Sequence, residues 1–140
     1  LTAVVRLDGT SDLGLAADLH VEFPAIMFYD YTKVQARVAR WLRLRGAGLA
    51  KNWHLTFSAG ASDSPGLVGR MIARGVNVAV PMAIARGAAL PATFEGERVI
   101  DGDLHDARFT DDVGVVVGLR AKGGSVKRGG VETGFLRVVA

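Results

Sequence analysis

The sequence predicts an α/β fold in which parallel βα units form an open sheet or a partial barrel, followed by a β-rich carboxyl-terminal part. Three observations predict it. Ile26–Lys33 reads Ile-Met-Phe-Tyr-Asp-Tyr-Thr-Lys, an apolar run fit for a buried strand that ends in polar groups and leads into a basic amphipathic segment. The same order of patterns recurs at Val4–Asp12, Trp53–Ser58 and Val76–Met82. Successive strand ends fall about two dozen residues apart, the length a right-handed βαβ crossover takes. Beyond Pro91 the helical pattern stops, and short apolar runs alternate with glycine-centred turns.

In chain order, Ala3–Leu7 reads as a strand and Asp8-Gly-Thr-Ser-Asp12 as the turn after it. Gly9 suits a tight turn, and Thr10, Ser11 or Asp12 is placed to cap a helix over Leu13–Glu22. His20 is expected at the surface or end of that helix. Phe23-Pro24 breaks it, and Ala25–Tyr29 forms the second strand. Lys33–Arg45 is the clearest helix, with Val34, Val38, Trp41 and Leu42 on one face and Arg37, Arg40 and Arg43 on another. Gly46 and Gly48 end it. Trp53–Phe57 has strand composition. The small-residue loop Ser58–Pro65 follows, with Pro65 suited to the first turn of a helix carrying Leu67, Val68, Met71 and Ile72. Gly75 stops that helix. Val76–Val80 is a fourth strand, ended by Pro81, and Met82–Arg86 has room for one helical turn. Thr93–Ile100 suits a hairpin, Val113–Leu119 a buried strand, Lys122–Gly130 a loop and Gly134–Val139 a closing strand.

At 140 residues the chain is most simply one α/β domain spanning residues 1–140, long enough to bury a core. Apolar residues make up 49% and charged residues 22%, the balance of a globular domain. The formal net charge of +3 is compatible with nucleic acid or an anionic metabolite and selects neither. There are no cysteines, which excludes a disulfide scaffold, a thiolate zinc site, a cysteine nucleophile and an iron–sulfur cluster within these residues. No stretch reaches the ~18–20 apolar residues of a membrane span, so no membrane partner is expected. Leu1–Leu7 lacks the features of a signal peptide. The chain opens on leucine, directly in a strand-like run, which reads as a fragment lacking an amino-terminal segment.

Parallel strands present their carboxyl ends along one edge, where α/β proteins bind ligands. Thr10, Ser11, Asp12, Asp30, Tyr31, Lys33 and Ser58 are therefore the ligand-binding candidates on that rim, with Asp8, Thr32 and Thr56 beside them. Asp101-Gly-Asp-Leu-His-Asp-Ala-Arg108 is the densest polar cluster and is expected to fold over the rim, adding Asp101, Asp103 and Arg108. By residue type His105, Asp12 and Lys33 are the catalytic candidates, since an imidazole titrates near neutral pH. Asp101, Asp103, His105 and Asp106 also have the donor types of a metal site. A calcium loop of the EF-hand kind is excluded, because neither the sixth-position glycine nor the twelfth-position glutamate is present. The plainer reading is a turn whose aspartates bond their own backbone and pair with Arg108. The Ser58–Pro65 loop ends in neither a P-loop lysine nor a dinucleotide fingerprint. Arg37, Arg40 and Arg43 could track a nucleic-acid backbone; charged outer faces are also the ordinary dress of a helix packed on a sheet.

Several motifs in order, Arg6–Asp12, Phe28–Lys33, His54–Ser58, Asn77–Val80 and Val99–Phe109, resemble a family of phage, prophage and plasmid proteins similar to the phage proteins called gene product eighty-eight. The resemblance implies a bacterial-host cytoplasm as the location. It also implies an amino-terminal stretch with a Cys-Pro…Gly-Cys…Cys segment, so that the present residues correspond to the carboxyl-terminal portion. Asp8 stands where the pattern usually has Asn, and Ala59-Gly60 replaces a more polar pair. A more distant likeness is to phage proteins with a partial radical-SAM-type barrel, whose cluster would sit on the missing segment. No catalytic residue or cofactor is carried over by either likeness. Three functional expectations follow: an enzyme-like protein binding a small anionic or nucleotide-like ligand at the rim, a nucleic-acid-binding accessory protein of a mobile element, and a structural remnant needing a partner chain, a second copy or its missing segment.

Overall fold

The computed structural model describes residues 2–60 and 62–122. The chain divides into two compact units, one holding Leu1–Phe57 and Ala107–Asp111, the other Ser58–Asp106 and Asp112–Ala140. The architecture is α/β, and the described residues form seven strands and three helices with mostly parallel ladders.

In the first unit, β1 (Ala3–Val5), β2 (Ile26–Thr32) and β3 (Trp53–Ser58) pair in parallel in that order. Helix α1 (Ala16–Glu22) links β1 to β2 and α2 (Gln35–Gly46) links β2 to β3. The register sets Phe28 against Trp53, Asp30 against Leu55 and Thr32 against Phe57, so these six share one face. Tyr29 with His54, and Tyr31 with Thr56, share the other. Phe28, Trp53, Leu55 and Phe57 are buried, as are Val38 and Trp41 of α2 and Ala16 and Ala17 of α1. Strand β2 runs past Tyr29 to Thr32, because the polar residues Asp30, Tyr31 and Thr32 still find ladder partners on β3. Helix α1 begins later than its apolar spacing suggests, at Ala16, and His20 is buried rather than at the surface. Its Nδ1 lies 2.9 Å from the Ala16 carbonyl and its ring 5.1 Å from that of Trp53. Asn52 ties the start of β2 and β3 to the end of α1, its amide donating to the carbonyls of His20, Phe23 and Ile26.

In the second unit, α3 (Leu67–Ala73) precedes β4 (Val78–Met82), which pairs in parallel with β7 (Val116–Arg120). Strand β6 (Glu97–Asp101) pairs in parallel with the other side of β7 and antiparallel with β5 (Thr93–Phe94). The β5–β6 hairpin turns through Glu95 and Gly96, both at positive φ, as a two-residue loop of this hand requires. Val115, Val116 and Val117 are fully buried with Leu67, Val68, Met71, Val76, Val78, Val80 and Met82. Asn77, also buried, donates to the Asp112 carbonyl and accepts from the Gly114 and Val115 amides, which fixes the entry to β7.

Three expectations change here. Pro81 does not end β4; the strand continues through it to Met82, with Pro81 opposite Leu119, because Val80 and Met82 on either side fill the core. The helical turn expected over Met82–Arg86 does not form, since Ile84 donates to Met82 and accepts from Ala121 instead. Pro65 does not open α3. Gly66 follows it at φ 73°, a left-handed conformation, and the helix starts at Leu67. The loop and closing strand expected over Lys122–Gly130 and Gly134–Val139 lie outside the described residues apart from Lys122. No helix among the described residues is long and apolar enough to cross a membrane.

Candidate functional site

The carboxyl ends of β1 and β2 are joined by carboxylates. Asp8, buried after β1, donates its backbone N–H to Asp30 Oδ1 at 3.0 Å and accepts from the Ser11 hydroxyl (3.1 Å) and the Gly14 N–H (2.6 Å). Gly14 has φ 75°, a left-handed conformation that favours glycine, and the Arg37 side chain lies 3.0 Å from where a Cβ would stand. Asp12 is the hub. Its carboxylate accepts from Thr32 Oγ1 at 2.9 and 3.0 Å and from the Lys33 N–H at 2.9 Å, and it pairs with Arg37. Thr32 Oγ1 in turn accepts from the Val34 N–H (3.0 Å), satisfying a free amide near the start of α2. None of Thr10, Ser11 and Asp12 caps α1, whose N-cap residue is Leu15, without a side-chain cap. The aspartates stitch the β1–α1 turn to the β2–α2 junction instead.

Asp30 is the unusual member. Its Oδ2 is buried without a hydrogen-bond partner, and burial pushes the carboxyl up to about 6, against the downward pull of the Asp8 N–H. The exposed Lys33 has its backbone held by Asp12, and its ammonium makes no ion pair among the described residues. Thr10 is exposed on the same turn. Tyr31 faces the other side of the sheet, with the Arg6 guanidinium 4.7 Å above its ring.

On that second face the structure brings together residues from β2, β3 and the 107–111 segment. Tyr29 packs against Phe109 with ring centroids 5.7 Å apart. The short 3₁₀ turn Arg108–Thr110 thus brings part of the predicted cluster back onto β2. Arg108 is fully buried with Asp111 at 3.4 Å. His54 lies 3.3 Å from the Thr56 hydroxyl; burial, with the charges of Arg45 and Arg108, pushes its imidazole down to about 4, so it is neutral at neutral pH. The sequence signal for this face was the alternation of Tyr29, Tyr31, His54 and Thr56. Only coordinates reveal the return of Arg108 and Phe109.

Ser58 closes β3, and Asp101 and Asp103 lie in the second unit. Asp101 and Asp103 converge on Arg120, at 2.8 and 2.9 Å, while the Asp103 N–H donates to Asp101 Oδ1. The Arg120 guanidinium holds the Asp101 carboxyl below the usual carboxylate range. These two aspartates sit in a turn bonded to its own backbone, with Arg120 as a cation between them. Among the described residues no group of three or more histidine, cysteine, aspartate or glutamate side chains is placed to hold a metal ion. His105 and Asp106 are exposed. In the Ser58–Pro65 loop the Asp63 carboxylate takes the Gly60 N–H at 2.7 Å, occupying an amide that a phosphate would need. On α2, Arg37 is held by Asp12 and Arg40 by Asp18, which leaves Arg43 exposed from the proposed row.

No curated protein and no solved structure matches the sequence. A family model does, over residues 1–136 and so nearly the whole chain, not a carboxyl-terminal part of it. The chain belongs to the Gene product 88 family.

Proposed function

We propose that the protein binds a small anionic, nucleotide-like ligand at the carboxyl-terminal rim of β1–β3, in the manner of an enzyme of α/β architecture. One observation carries the reading: Asp12 fixes the backbone of Lys33 at the strand end while the Lys33 ammonium keeps no ion pair among the described residues. A cation mounted on a rigid junction, beside the hydroxyl-bearing turn of Thr10 and Ser11, is suited to a phosphate or carboxylate. Asp30 supplies the chemistry on this rim, as a carboxyl poised to gain or lose a proton near pH 6. Asp12 and Ser11 support the site by position, since their oxygens are already engaged.

The test is calorimetric titration with pyrophosphate. Lys33→Ala should weaken binding about tenfold or more while leaving the melting temperature unchanged, because the side chain is exposed. Equal binding by the variant and the parent protein removes the reading.

A further inference from the structure

A second site lies at the other edge of the first unit. Met27 stands near the amino end of β2 and Trp53 opens β3, whereas the carboxylate network sits where β2 ends. Around these starts is a cleft of about 340 Å³, at the small end of ligand pockets. Met27, Phe109, Trp41 and Trp53 give it an apolar lining, and Arg45, Lys51 and His54 are its ionisable residues. Among the described residues no carboxylate lines it. The Arg45 guanidinium lies 5.1 Å from the Trp41 ring centroid, and that ring meets His54 edge-on at 5.8 Å. Lys51 is exposed and makes no ion pair among the described residues. Burial first, and then the charges of Arg45 and Arg108, oppose the charging of His54.

We propose that this cleft binds a small molecule made of one aromatic ring system and one anionic substituent, with the ring against Met27 and Phe109 and the anion toward Lys51 and Arg45. The volume suits a single ring system rather than a dinucleotide. Neutral His54 is left as a hydrogen-bond partner for the ring's polar edge. This proposal does not depend on the rim.

The protein's two tryptophans, Trp41 and Trp53, both line the cleft, so intrinsic tryptophan emission reports on it. Adenosine monophosphate and 4-hydroxybenzoate, as phosphate and carboxylate versions of the ligand, are titrated against the whole chain, with adenosine as the uncharged comparison. A saturable emission change with either anion is expected. The active one identifies the anionic group. Lys51→Glu should weaken it about tenfold, Lys33→Ala should leave it unchanged, and the His54 ring resonances should titrate at higher pH in the complex. Absence of a saturable change with both anions at millimolar concentration overturns the proposal. So does an equal response to adenosine, or one that Lys51→Glu leaves intact. Loss of pyrophosphate binding in Lys33→Ala with retention here separates this site from the rim.

Discussion

Asp30 shows how a single position carries both a cost and a capacity. Its carboxyl is one-sidedly solvated by the Asp8 N–H, with the other oxygen buried and unbonded. The native state therefore prefers the protonated form, with a folded pKa of about 6 against 3.8 for the free group. Because the folded value is the higher one, this group's stabilising contribution is complete below pH 3.8 and is lost as pH rises through about 6. The magnitude is on the order of 1–2 kcal/mol after solvent screening. Asp30→Asn should flatten that part of the profile in denaturant melts taken from pH 4 to pH 7; an unchanged slope would show that Asp30 does not titrate in this window. The sequence places Asp30 correctly at a strand end. Its abnormal acidity was not legible, because that depends on which neighbours bury the second oxygen.

Among the elements, β7 and its approach are the most tightly specified. Strand β7 is paired on both sides, by β4 and β6. Its entry depends on Asn77, whose one side chain serves the Asp112 carbonyl and the Gly114 and Val115 amides. Asn77→Ala would strand those backbone groups in a buried setting, at a cost of about 2–4 kcal/mol. Urea melts should show this as a lower midpoint, and a midpoint shift worth less than about 1 kcal/mol would mean water replaces the amide. Strand and helix identities were readable here from apolar period. Pro81 inside β4 was not, since a proline in a strand is tolerated only when its flanking residues are needed in the core. The hairpin was readable because Gly96 supplies the left-handed position such a loop needs, although Glu95 beside it is not a favoured turn residue.

For the molecule as a whole, protection is expected to be graded rather than uniform. Strand β1 has three residues, a ladder with β2 and an exposed Val4, while Val116 and Val117 of β7 are fully buried. Amide exchange should therefore be fastest at β1 among the strands and slowest at β7. Exchange of β1 amides as slow as those of β7 would mean that another chain covers the first strand. The α/β class was legible from repeated strand–polar–helix grammar, whereas the cleft was not, because Met27 and Phe109 join the Trp41–His54 segment there from distant parts of the chain. That grammar records order along the chain; it is silent on which distant pieces return.

One such return has a consequence for synthesis. Residues 107–111 belong to the first unit although the stretches on both sides of them belong to the second. A ribosome that has released β3 has therefore not yet made Phe109, the ring that packs on Tyr29. The contact of Tyr29 with Phe109 therefore forms only once synthesis has passed residue 109, so the first unit acquires its last segment later than its strands β1 to β3.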